Sequence, residues 1–232
     1  MVAAKPDSGR NTMSKREASA TRENVTVVSH PMVQHKLAIL RDVETGTKLF
    51  RELVKELAIF LGYEATRHFS LEPTKVTTPI CETTSFTIQG LKVAVVPILR
   101  AGLGMAEGIL ELVPAARVGH IGVFRDHDTH KPVEYYCKLP EDIEKREVLV
   151  IDPMLATGGS ASMAIEFLKA KGVSSERIRL LVIIATPEGI DAVLETDPLV
   201  HIFTCSIDDR LNENAYIVPG LGDAGDRIFG TK

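Results

Sequence analysis

Val148-Leu149-Val150-Ile151-Asp152-Pro153-Met154-Leu155-Ala156-Thr157-Gly158-Gly159-Ser160 is the stretch whose reading decides the fold. Its first four residues are apolar without a break, the pattern of a strand buried on both faces in a parallel sheet. Asp152 stands where such a strand ends, and Pro153, with no N–H to donate, is expected to stop the ladder. The small residues Thr157-Gly158-Gly159-Ser160 then lead into a helical run at 161–171. Ligands of open parallel sheets bind beyond the carboxyl ends of the strands. A helix start preceded by glycines offers unpaired N–H groups and the positive end of a dipole, which suits a phosphate. An ionised Asp152 can only accept, so it fits a pair of ribose hydroxyls. The plain alternative is an ordinary strand-to-helix turn with Ser160 as its N-cap.

Outward from this stretch, residues 93–99, 116–124, 180–185 and 199–206 read as further core strands. Between them lie helical patterns at 102–112, 160–171 and 188–195. Helices alternating with apolar strands predict an α/β fold whose mostly parallel sheet is covered on both sides. Upstream, Pro31 suits the first turn of a helix carrying Val33, Leu37 and Leu40 on one face. Phe50, Leu53, Val54, Leu57 and Leu61 mark a stronger helix over 47–61, with Gly62 as its C-cap. Residues 25–28 read as a short edge strand, and 86–92 as a strand or hairpin limb leading into the core. Residues 126–132 read as a mobile turn that forms, with 133–138, a projecting hairpin or lid. The first 24 residues lack periodicity and are expected to be a disordered extension, and Asp7, Glu17 and Glu23 argue against a transit peptide. Residues 208–232 are rich in Gly and Asp without a periodic pattern, and a structureless stretch that long is usually functional.

A chain of 232 residues, 44% hydrophobic, suffices for one substantial domain that buries roughly three quarters of its unfolded surface. The formal charge of -4 excludes a general polyanion-binding surface, so an anionic substrate must be met by a few local arginines. Cys81, Cys137 and Cys205 are odd in number and in no metal-ligand spacing, which predicts reduced thiols and a cytoplasmic protein. No apolar run approaches the roughly 18 residues of a membrane span, so no membrane partner is expected, and the acidic balance weighs against a nucleic-acid one.

Arg100 closes the 93–99 strand and is followed by Ala101-Gly102-Leu103-Gly104, while Arg125 closes the neighbouring one. Gly220, Gly222 and Gly225 satisfy the dinucleotide fingerprint G-x-G-x-x-G, yet only seven residues follow and no βαβ unit fits. A flat base with two carbonyls and two N–H groups can be read by backbone alone, and Gly222 and Ala224 would leave such groups accessible beside Ile217. His127 and His130 lack a third ligand. Asp208-Asp209 reads as a solvated turn rather than a catalytic carboxylate pair.

Residues 96–105, 151–160 and 219–232, with a weaker match at Ala185-Thr186-Pro187-Glu188-Gly189, resemble the uracil phosphoribosyltransferases. Many type I phosphoribosyltransferases carry two adjacent acids where this chain has Asp152-Pro153, a form typical of the uracil branch. The resemblance implies the type I fold: a parallel five-stranded core over about 93–206, with a hood from about 25–60 and 207–232. It implies transfer of phosphoribosyl from 5-phosphoribosyl 1-diphosphate to uracil, giving UMP and diphosphate. Asp152, Pro153, Met154, Leu155, Ala156, Thr157, Gly158, Gly159 and Ser160 would hold the ribose phosphate. Arg100 and Arg125 would grip the diphosphate, with strained backbone and a cis peptide near Leu99–Arg100. Ile217, Gly222, Asp223 and Ala224 would meet the uracil, and Asp223 would serve beside Arg100 in catalysis, where its rival is a turn-forming role. Mg²⁺ would arrive with the diphosphate rather than on protein side chains. Dimers or tetramers and activation by GTP are implied as well. Arg210 departs from the shorter side chain or glycine common there. Two alternatives stand beside this reading: a phosphoribosyltransferase for another base, and a nucleotide-sensing regulator that binds RNA.

Overall fold

The computed structural model describes residues 23–88, 90, 92–125 and 132–231. In chain order the strands are β1 (Val25–Val27), β2 (Leu71–Thr77), β3 (Glu82–Ile88), β4 (Val93–Leu99), β5 (Arg117–Val118) and β6 (His120–Arg125). They continue with β7 (Pro132–Lys138), β8 (Glu147–Leu155), β9 (Ile178–Ala185), β10 (His201–Ile207), β11 (Arg210–Leu211) and β12 (Ile217–Val218). The helices are α1 (Pro31–Arg41), α2 (Thr47–Ala65), α3 (Leu103–Leu112), α4 (Gly159–Ala170), α5 (Pro187–Thr196) and α6 (Ala224–Phe229).

The main sheet runs β1-β10-β9-β8-β4-β6-β7, with β5 beside β4. Every pairing is parallel except that of β6 with β7. The expected parallel core is therefore β10-β9-β8-β4-β6, widened by β1 at one edge and by antiparallel β7 at the other. Period-two alternation divides the side chains between two layers. Leu149 and Ile151 of β8 join Val95 of β4 and Leu181 of β9 under α1, α2 and α3. Val148 and Val150 join Val96 and Leu180 under α4 and α5. With both faces covered, the strands can be apolar at every position, which explains the unbroken run at 148–151.

Several expectations need correction. Pro153 does not end its strand: β8 continues to Leu155, with Asp152 opposite Val182 and Met154 opposite Ile184. Pairing with β4 has already stopped at Ile151, so β8 is an edge on that side, and an edge tolerates a missing N–H. The strand expected over 116–124 divides into β5 and β6 around Gly119. The hairpin limb expected from residue 86 is the end of β3, which starts earlier, at Glu82, and pairs with β2 in an exposed antiparallel ribbon. The proposed hood segment 25–60 divides too. β1 extends the main sheet, and α2 packs its apolar stripe on the sheet face. The tail is not structureless, since β11 pairs with β12 and α6 follows. Arg210 lies in that small ladder opposite Val218, a conformation in which an arginine is ordinary. The N-terminal extension up to residue 22 and the 126–131 turn, with His127 and His130, lie outside the described residues.

None of the three cysteines is in a disulfide, and burial pushes the Cys205 thiol up to about 12. Among the described residues no helix is long and apolar enough to cross a membrane. Leu57, fully buried at the centre of the α2 stripe, reports on this packing. Leu57→Ala should lower unfolding stability by about 2–5 kcal/mol in denaturant titration.

Candidate active site

β4 and β8 are parallel neighbours whose chains leave in opposite directions. From β4 the chain crosses through α3 to β5 and β6. From β8 it crosses through α4 to β9, on the other side. Such a point opens a crevice at the carboxyl ends of the two strands. The sequence places Arg100 at one lip and Asp152 at the other. Arg100 is exposed, the Leu99–Arg100 peptide bond is cis, and the guanidinium carbon lies 5.7 Å from the centre of the Phe229 ring in α6.

Asp152 accepts a hydrogen bond from the Met154 amide through Oδ1 at 3.2 Å. Burial pushes its carboxyl up to about 7, against the opposite pull of that amide. The turn behind it depends on Gly158. Its φ is +83°, and a Cβ would come within 2.7 Å of the Ala192 methyl and 2.8 Å of the Gly189 carbonyl oxygen. Only glycine satisfies both demands. Gly158 is the N-cap of α4, and no side chain caps the helix. Ser160 therefore lies inside the first turn instead of capping it. Asp152 and Met154 to Ala161 line a cavity of about 110 Å³, the setting for an anion at the helix start.

Thr186, fully buried, holds this turn in place. Its hydroxyl donates to the Ala156 carbonyl at 2.6 Å and accepts from the Gly189 amide at 3.0 Å, capping α5. That cap gives the Ala185–Gly189 string a structural reason.

The C-terminal segment closes over the same place. Ile217, Gly222 and Asp223 line a cavity of about 230 Å³ together with Asn214, Ala215, Tyr216, Met154 and Ala156. Met154 and Ala156 border both this cavity and the smaller one, so the two adjoin. Asp223 is exposed and caps α6, accepting from the Asp226 amide at 2.9 Å. It thus fills the turn-forming role and lines the cavity at once. Pro153 and Ala224 do not line either cavity, and the Ala224 side chain is fully buried in the core. Arg125 ends β6. Asn214, Ala215 and Tyr216 were not singled out from the sequence, because nothing in their local pattern announces the hairpin that presents them.

Asp208 is neither a solvated turn residue nor half of a catalytic pair. It has no exposed surface and forms a two-oxygen ion pair with Arg41, at 2.6 and 2.7 Å. Burial alone would raise its carboxyl, but Arg41, the Ser206 hydroxyl and the Gly220 amide together hold it below the usual carboxylate range. A cavity of about 650 Å³ lies between 137–144 and the end of α4, away from both strand ends.

The model of the family described as uracil phosphoribosyltransferase matches residues 27–231. The chain belongs to the uracil phosphoribosyltransferase family. The uracil phosphoribosyltransferase of Clostridium acetobutylicum is 60% identical over 208 residues, covering 90% of this chain and 99% of that one. That of Clostridium tetani is 58% identical over the same length and shares. Among solved structures, the AQ2163 protein of Aquifex aeolicus aligns with a TM-score of 0.83 at 37% identity, covering 90% of this chain and 99% of that one. The adenine phosphoribosyltransferase of Trypanosoma brucei aligns at 0.57 and 10% identity over 88% and 90%, a likeness of fold. The fold expected from the sequence is thereby shown.

A carboxyl raised by burial is destabilising when ionised. The penalty is absent below the unfolded value near 4 and grows as pH rises to about 7. Asp152→Asn should therefore melt above the parent at pH 8, with a smaller gap at pH 5, as scanning calorimetry would read.

Proposed function

We propose that this chain transfers the 5-phosphoribosyl group from 5-phosphoribosyl 1-diphosphate to N1 of uracil, giving UMP and diphosphate, as a step of pyrimidine salvage. The observation that carries this reading is the pair of adjoining cavities. One is lined by an acid and an uncapped helix start, and the other by Ile217, Gly222 and Asp223. Their separate characters match the two parts of a nucleotide, a sugar phosphate and a flat base.

In this reading the amides and hydroxyls of residues 157–160 hold the 5-phosphate, and ionised Asp152 accepts from the ribose hydroxyls. Arg100 and Arg125 draw charge from the departing diphosphate. The bond from C1 to the diphosphate oxygen breaks, the C1–N1 bond forms, and the N1 proton is released. The sugar passes through a cationic, oxocarbenium-like state, which water would capture if admitted. Asp223 sits beside N1, orienting the ring and stabilising positive charge on the sugar. The backbone of Gly222 and Asp223 reads the base edge, while Ile217 packs on its face.

Asp152 is the one carboxylate lining the smaller cavity, and no three acidic, His or Cys side chains converge among the described residues. That donor set fits Mg²⁺ held mainly by phosphate oxygens and water. When bound, the ion would neutralise charge on the diphosphate. A homo-oligomeric state, a GTP effector and a cytoplasmic location complete the proposal and rest on the family resemblance.

Steady-state assays with 5-phosphoribosyl 1-diphosphate and uracil, hypoxanthine, adenine or orotate test the function. Product with uracil alone is expected; product only with another base, or none, would overturn it. Asp223→Asn should lower kcat by about 10²–10³, the scale of one preorganised polar group. Asparagine caps helices as well as aspartate, so the melting temperature should stay unchanged.

A further inference from the structure

Neither Arg41 nor Asp208 lines the two cavities, yet their ion pair is built around one residue of the segment that does. Asp208 Oδ2 accepts from the Gly220 amide at 2.9 Å, and Arg41 Nη1 donates to the Gly220 carbonyl at 2.6 Å. Both polar groups of Gly220 are therefore taken by one buried ion pair. Ser206 donates to Asp208 Oδ1 at 2.8 Å, and the Asp208 amide donates to the Ala185 carbonyl at 2.7 Å. The clamp is thus fixed to the ends of β9 and β10, one residue before Thr186. Gly220 has φ +67°, and a Cβ would strike the Ile217 carbonyl. Next in the chain, the Leu221 carbonyl accepts from Arg227 Nη1 at 2.8 Å.

We propose that Arg41 and Asp208 are positioning residues for base recognition: through Gly220 they set where Gly222 and Asp223 stand relative to the sugar-phosphate turn. The inference rests on the proposed transfer to uracil. A base read by backbone groups has no flexible side chains to absorb an error, and placement must hold to within about 0.5 Å. A bidentate guanidinium–carboxylate pair fixes direction as well as distance, which a single hydrogen bond does not. Arginine is required for this geometry, because lysine offers a point charge without the fork. The pair also meets both polar groups of Gly220, which an apolar substitute would leave unpaired, so that residue is held where the pair stands.

The test compares KM for uracil with KM for 5-phosphoribosyl 1-diphosphate in Arg41→Lys and Asp208→Asn. The expected result is a rise of about tenfold or more in the uracil KM, the scale of one misplaced hydrogen bond, with the other KM changed less than about twofold. Arg41→Met/Asp208→Leu, which removes the pair and leaves both polar groups of Gly220 unpaired, should show the same split with a lowered melting temperature. Equal changes in both KM values, or a fall confined to melting temperature and kcat, would overturn the inference. If one single variant does not fold, the other decides between these outcomes, assayed below its own melting temperature. A parent protein that forms no UMP from uracil would overturn the functional reading instead, and the inference with it.

Discussion

Two adjacent parallel strands that send their chains in opposite directions are the constraint on which the rest of this structure depends. β4 delivers Arg100 and β8 delivers Asp152 to the same end of the sheet, and the right-handed crossovers put α3 and α4 on opposite faces. No helix can cover the gap between the two strand ends, so the gap remains a crevice. β8 reaches beyond its pairing with β4 while still bonded to β9. That overhang holds Asp152 and Met154 in a rigid strand, which places functional groups better than a loop would.

The second part of the site has a different origin. The C-terminal segment carries little apolar periodicity of its own and is fastened by polar ties. Asp208 is bound to Arg41, and Arg227 spans from the Leu221 carbonyl to the carbonyls of Asp42 and Thr45 while its guanidinium stacks 4.3 Å from the Phe50 ring centre. Each tie joins the tail to α1, to α2 or to the turn between them. Helices at the beginning of the chain thereby help to shape a cavity whose lining comes from its end. Ile228 and Ala224 add apolar anchorage beneath the same segment.

The sheet was legible because its signals are local. An apolar run, an acid and a glycine turn appear in one string, and period-two burial on both faces needs no knowledge of distant partners. The helices followed for the same reason, with boundaries that shifted by one residue where caps are backbone-made, as at Gly158, whereas α2 runs through the expected C-cap Gly62, buried within the helix, to Ala65. Pro153 was misread because its tolerance depends on which neighbouring strand has already ended, a fact of register that no single segment contains. Asp208 was misread because its partner lies 167 residues earlier. The burial of Ala224 and the approach of Asn214 to Tyr216 likewise follow from tertiary packing. Motif strings, by contrast, mark the residues gathered at the crevice without showing that they meet.

The account claims that one nucleotide spans the two adjoining cavities. A crystal structure of the protein with UMP tests this most directly. The account predicts the phosphate on the amides of residues 157–160, the ribose hydroxyls within hydrogen-bond distance of Asp152, and the ring between Ile217 and the Gly222-Asp223 backbone. A nucleotide bound with its base away from the C-terminal segment, or its phosphate away from the Gly158 turn, would contradict it.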